Sequence, residues 1–168
     1  MLRRTKTSLS KSVLTYEEEK ALHGQGYSLV AGLDEVGRGP LAGPVVAGVV
    51  VLPPEPQGTW VGLIRDSKQM TANQRNFVLP CLEEEALGVS TGFASHREID
   101  QIGISAATRL AMQRGLDSLS IQPQFLILDA FPLPEVRIPQ KPIIRGDSLC
   151  LSIAAASVVA KVTRDRYM

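Results

Sequence analysis

The stretch YSLVAGLDEVGRGPLAGPVVAGVVVL, residues 27–52, decides the fold. Its apolar opening reads as a strand over residues 27–33 that stops at Asp34 and Glu35. Gly37, Arg38, Gly39 and Pro40 follow as a turn, and a second, valine-rich strand is expected over residues 45–52. A Gly-x-Gly turn after a strand also suits a dinucleotide-binding loop. That fingerprint requires a helix next, however, and Pro40, Pro44 and the valine run argue against one.

Outward from this segment, residues 14–23 read as a short helix with Thr15 as N-cap and Glu17, Glu18 and Glu19 in its first turn. Residues 71–87 read as a helix capped by Thr71, and residues 89–95 as a third strand. Ile99, Ile102, Ala106, Leu110, Met112 and Leu116 recur at helical spacing, which predicts one helix over residues 98–119. Residues 125–128 form a short buried strand ending at Asp129. Four prolines make residues 132–142 an irregular connection before a last strand at Ile143 and Ile144. Residues 147–166 read as a helix with Ala154, Ala155, Ala156, Val158 and Val159 inward. Adjacent strands first and alternating strands and helices later imply an α/β domain with a mixed sheet. The last helix reaches Met168 without a glycine stop, so the chain reads as cut short.

At 168 residues, 44% hydrophobic and 21% charged, one globular domain over residues 13–168 is expected, preceded by a flexible basic tail over residues 1–12. Aromatics are only 5%, so aliphatic side chains must build the core. Cys81 and Cys150 are far apart with no nearby histidine, which fits reduced structural thiols in a cytoplasmic protein better than a thiol catalyst. The longest apolar run, residues 41–52, is too short for a bilayer, and no secretory leader is visible. A net charge of +1 neither demands nor excludes a nucleic-acid partner.

Four acids stand at strand ends or a helix start: Asp34, Glu35, Asp129 and Asp147. In α/β sheets such positions share one edge, where ligands bind. Carboxylates gathered there repel unless cations lie between them, and oxygen-only donors suit Mg²⁺ or Mn²⁺. Each acid also has an ordinary reading: Asp147 as an N-cap, Asp129 as a turn residue, Asp34 and Glu35 as a solvated strand end. Successive strand residues face opposite ways, so Asp34 and Glu35 share a site only if the backbone turns there, a freedom that Gly37 and Gly39 supply.

Residues 34–46, DEVGRGPLAGPVV, resemble the signature segment of ribonuclease HII. Asp66-Ser67-Lys68, Glu98-Ile99-Asp100, Gly146-Asp147-Ser148, residues 152–161 (SIAAASVVAK) and Arg164-Asp165 are similar to further motifs of that family, in the same order. The resemblance implies an RNase H-like mixed five-stranded sheet flanked by helices. It also implies a metal site of Asp34, Glu35, Asp129 and Asp147 holding two divalent ions, Mn²⁺ or Mg²⁺. Gly37, Arg38 and Gly39 then read the ribonucleotide 2′-hydroxyl, and Lys68, Ser148, Ser157 and Lys161 fall near the nucleic-acid backbone. Ser157 could instead bond carbonyls within its helix, and Lys161 could simply be solvated. The implied activity is hydrolysis of the RNA strand of RNA/DNA hybrids, or 5′ of ribonucleotides embedded in DNA, giving 5′-phosphate and 3′-hydroxyl ends, by a monomer. The alternatives are a non-cleaving nucleic-acid-binding module, a truncated inactive fragment, or another metal nuclease of the same fold. His23 and His96 match no family position and read as surface residues. Ala130 stands where the family commonly has glycine, and Gly103 where it often has asparagine. The family continues past this point and supplies a tyrosine to which Tyr167 does not correspond.

Overall fold

A computed structural model describes residues 13–39 and 42–168. The tail expected over residues 1–12, and Pro40 and Leu41 of the signature segment, lie outside the described residues. The strands are β1 (Val30–Val36), β2 (Val45–Val51), β3 (Gly88–Ala94), β4 (Phe125–Asp129) and β5 (Gln140–Ile143). The helices are α1 (Glu17–Gly24), α2 (Thr59–Leu63), α3 (Ala72–Glu85), α4 (His96–Ile102), α5 (Ile104–Asp117) and α6 (Leu151–Tyr167). The sheet order is β3-β2-β1-β4-β5. β1, β2 and β3 pair antiparallel, and β4 and β5 are parallel to β1. The architecture is the mixed five-stranded sheet flanked by helices that the sequence implies.

Alternation along the strands divides the core. Ala31, Leu33, Val45, Ala47, Val49, Leu126 and Leu128 pack beneath α5 with Ala107, Ala111 and Met112. On the opposite face, Val50 and Leu52 pack with Ala154, Ala155, Ala156, Val158 and Val159 of α6. Two glycines let α6 settle directly on the sheet. A Cβ on Gly32 would lie 2.4 Å from the Ser152 carbonyl carbon, and one on Gly48 2.2 Å from Ala156 O. Overpacking at such a contact costs about 1–3 kcal/mol.

Several boundaries differ from expectation for identifiable reasons. β1 runs on through Asp34 and Glu35 to Val36, because β2 continues its ladder: Asp34 pairs with Gly48 and Glu35 with Ala47. The helix expected over residues 98–119 is two helices, broken at Gly103 (φ 80°). The first of these begins earlier, where Ser95 and Glu98 form a reciprocal capping box. Thr15 does not cap α1; it forms an isolated bridge to Cys150 instead, and Tyr16 precedes the helix without a side-chain cap. Thr71 does cap α3, with Gln74 completing a capping box. The short helix α2, which buries Trp60, carries no periodic signal in sequence. β5 includes Pro142, tolerated at a sheet edge where no N–H is needed.

Candidate active site

The carboxylates gather where β1 outruns β4. The parallel register ends at Leu33 opposite Leu128, so the next residues, Asp34 and Asp129, project from the same end of the sheet. Asp34 is 5% exposed and lies on the α6 side, where the Ser157 hydroxyl lowers its pKa. Burial outweighs this: it holds Asp34 well above the usual carboxylate range, and the charges of Glu35 and Asp129 push it further. Glu35 is also raised, first by burial and then by Asp129, against the opposing pull of Arg38.

Asp129 and Asp147 are held differently. Ala130 follows β4 in the left-handed region (φ 66°), and Arg145 adopts the same region (φ 58°) just before a single 3-10 turn, Gly146–Ser148. Asp147 therefore belongs to that turn. It does not open α6, which begins at Leu151 after the chain reverses. The Gly146 N–H donates to Asp129 Oδ1 at 2.8 Å, tying the strand end to the turn. Burial raises the pKa of both acids; Asp147 adds to the rise at Asp129, and Asp66 to that at Asp147. Each of the four acids is thus displaced upward, by desolvation first and by a neighbouring carboxylate second.

Among the described residues no three carboxylate, thiol or imidazole side chains converge as a ready metal-holding group. Like charges held apart by repulsion turn to other partners. Glu35 pairs with Arg38 at 3.5 Å, and Asp129 accepts from Gly146. The donor chemistry nonetheless fits a hard divalent cation: the donors are all oxygen, and the buried Glu35 Oε2 has no hydrogen-bond partner.

The remaining candidates fall into two groups. Lys68 follows Asp66 in a 3-10 turn, Ser67–Gln69, and its charge lowers the pKa of Glu35, Asp129 and Asp147. Arg38 is exposed and also stacks over the Phe131 ring at 5.2 Å. Gly37 needs its glycine, with φ 103° and the Pro44 carbonyl oxygen 2.5 Å from where a Cβ would stand; Gly39 has open space around it. The Ser148 hydroxyl donates to Asp147 at 3.3 Å. These groups adjoin the acids. Ser157 is buried beside Asp34 and also bonds the Ser67 hydroxyl at 2.7 Å, and Lys161 pairs with Asp165 at 2.7 Å. His96 is exposed, whereas His23 is half-buried, bonding Tyr27 O at 2.8 Å and Tyr16 Oη at 3.1 Å.

Three residues support the site in ways that local sequence does not show, and of these only Arg164 falls in a family-like segment, Arg164-Asp165. Buried Glu19 accepts from Ser152 N and Oγ at 2.9 and 2.6 Å, joining α1 to the start of α6. Arg75 donates to Ser67 O and Met70 O, holding the Lys68 turn. Arg164, 7% exposed, donates to Pro44 O and Ala42 O. A charged residue on a helix ordinarily reads as solvated, so only tertiary structure reveals these roles.

The sheet order, with acids at the ends of β1 and β4 and in the turn before α6, defines the class: an RNase H-like fold carrying an acidic centre. The profile of the family described as Ribonuclease HII matches residues 31–168. A ribonuclease HII of Dehalococcoides mccartyi is 48% identical over 153 residues, 91% of this chain and 72% of its own length. The ribonuclease H2 from Pyrococcus horikoshii OT3 superposes with a TM-score of 0.67 at 30% identity, over 82% of this chain and 72% of its own. Bst-RNase HIII, solved in complex with Mn²⁺, shares the fold with a TM-score of 0.68 at 22% identity, over 88% of this chain and 55% of its own. The chain belongs to the ribonuclease HII family. That membership makes it a ribonuclease H endonuclease, of the class that cleaves the RNA strand of RNA/DNA hybrids.

Proposed function

We propose that Asp34, Glu35, Asp129 and Asp147 hold two divalent cations, Mn²⁺ or Mg²⁺, at which the RNA strand of a hybrid, or the bond 5′ of a ribonucleotide embedded in DNA, is hydrolysed. The arrival of Asp34, Glu35 and Asp129 at the shared end of β1 and β4, with Asp147 in the turn that Gly146 ties to Asp129, is the observation that carries the proposal. Acids that resist ionising beside one another form a site whose missing component is positive charge. The Mn²⁺ bound by the structurally similar ribonuclease HIII supports the choice of ion. When bound, such ions activate a water for in-line attack and stabilise the leaving 3′ oxygen.

The chain's own groups account for the rest. Lys68 sits among the acids as a fixed positive charge, suited to a backbone phosphate. Within the segment Gly37–Arg38–Gly39, exposed Gly39 offers backbone that a ribose can approach closely, and the 2′-hydroxyl is the group that separates RNA from DNA. Ser148 stands beside Asp147 within reach of the same strand. Ser157 and Lys161 support neighbouring groups through Ser67 and Asp165.

The test is product mapping on three duplexes: an RNA/DNA hybrid, DNA with one ribonucleotide, and ribonucleotide-free DNA. Cleavage of the first two in Mn²⁺ or Mg²⁺, with 5′-phosphate and 3′-hydroxyl ends, is expected. Equal cutting of ribonucleotide-free DNA, or cyclic phosphate ends, refutes the proposal.

A further inference from the structure

We infer that Arg164 is a positioning residue for substrate recognition, holding the glycine segment in shape from beneath. Its guanidinium lies almost fully buried near the end of α6, and the ion pairs among the described residues do not include it. Nε donates to Pro44 O and Nη2 to Ala42 O, both at 2.9 Å. The same group occupies the space that side chains at the two adjoining glycines would need. A Cβ on Gly37 would stand 2.7 Å from Arg164 Nε, and one on Gly43 3.0 Å from Nη2. Both glycines have positive φ, 103° and 94°. The guanidinium therefore packs against Gly37 on one side of the segment and against Ala42, Gly43 and Pro44 on the other, while Arg38 and Gly39 are exposed.

A buried cation matched only by carbonyl dipoles is a costly arrangement. An apolar residue could fill the volume but could not hold two carbonyls at a fixed separation. The planar fork of arginine does so from one rigid group, and lysine cannot reproduce it. Ser157 and Arg164 lie on the same helix, so the segment inherits its position from the element that also abuts Asp34 and Ser67.

This inference rests on the proposed reading that the Gly37–Arg38–Gly39 segment meets the ribose, and the experiment separates the two. Arg164→Met and Arg164→Lys are compared with the unaltered chain by amide hydrogen exchange at Gly37–Gly39, and by KM and kcat on an RNA/DNA hybrid. In Arg164→Met, exchange at these amides is expected to rise by about tenfold or more, as for a locally opened segment, while α5 and β3 keep their protection. KM is expected to rise by about tenfold or more with kcat changed less, and Arg164→Lys to recover part of both. Unchanged exchange at Gly37–Gly39 overturns the inference. So does a loss of protection spread evenly through the protein. If Arg164→Met does not fold, the same two readings on Arg164→Lys decide. Raised exchange with unchanged KM keeps Arg164 as the anchor of the segment and refutes the segment's role in substrate contact.

Discussion

The four acids of the centre are held in two contrasting ways. Asp34 and Glu35 stand in the regular ladder of β1, fixed by pairing to β2 and, for Asp34, by α6. Asp129 and Asp147 sit on turns, each beside a residue in the left-handed region, and the hydrogen bond from Gly146 to Asp129 joins them. Asp34 is buried within the strand ladder, whereas Asp129 and Asp147 are half-buried and held by a few local bonds. The difference teaches that a centre for cations can combine a floor set by strand pairing with a rim set by local turns.

The largest effect should come from the floor. Asp34→Asn is expected to lower Mn²⁺-dependent hybrid cleavage by about a thousandfold or more, since several kcal/mol of transition-state stabilisation are at stake. The protein should stay folded and be no less stable without metal, because a neutral amide replaces a carboxyl that burial and two neighbouring acids already disfavour in its charged form. Calorimetry sharpens this. Mn²⁺ at a hundredfold over its Kd should stabilise the unaltered chain by about 2.7 kcal/mol, and Asp34→Asn by much less. Full activity in Asp34→Asn would break the comparison at its base.

The rim should respond more gently. Asp147→Asn is expected to reduce cleavage by less than Asp34→Asn does, with much of the loss recovered at high Mn²⁺, because a weakened ligand set is refilled by mass action. Equal and unrecoverable losses at Asp34 and Asp147 would erase the distinction between floor and rim.

Glu19 serves as a buried carboxyl outside the centre. Its pKa is raised, chiefly by burial, and Oε2 has no partner. A folded-state pKa above the unfolded value contributes stability that is complete below the unfolded pKa and lost as pH rises through the folded one. Glu19→Gln can keep the bonds to Ser152 without that loss. Its stability relative to the unaltered chain should therefore increase from pH 5 to pH 8. Denaturant titration at both pH values measures it, and a difference independent of pH would show that the carboxyl is not strained by burial.

The smallest effect is expected at Ala130. A left-handed alanine costs about 1–2 kcal/mol, part of which glycine returns through its greater unfolded-state entropy. Ala130→Gly should raise stability by at most about 1 kcal/mol, read from the denaturation midpoint.

Much of this was legible before any coordinates. The valine run at residues 45–51, the apolar run of β4 and the small residues of α6 announce the sheet and its covering helix. The positions of Asp34, Glu35, Asp129 and Asp147 suggested one edge; the structure brings Asp34, Glu35 and Asp129 to the same end of β1 and β4 and Asp147 to the adjoining turn, without a three-acid cluster among the described residues. What stayed hidden depends on partners distant in sequence. The extension of β1 through Glu35 is set by pairing with β2, and the break at Gly103 is a backbone conformation that apolar periodicity cannot register. Asp147 looked like a helix cap because the 3-10 turn and the reversal after it lack a local signature. The burial of Arg164 and Glu19 follows from where α6 lies on the sheet.

The seating of α6 on Gly32 and Gly48 couples features that otherwise look independent. With no clearance at either glycine, the helix cannot slide or tilt without driving backbone into backbone. The Glu19 link at its start, the serine pair midway and the arginine near its end therefore keep a common frame of reference. One added methyl group at Gly48 would shift all three together, and a change remote from every acid would be felt throughout the catalytic edge.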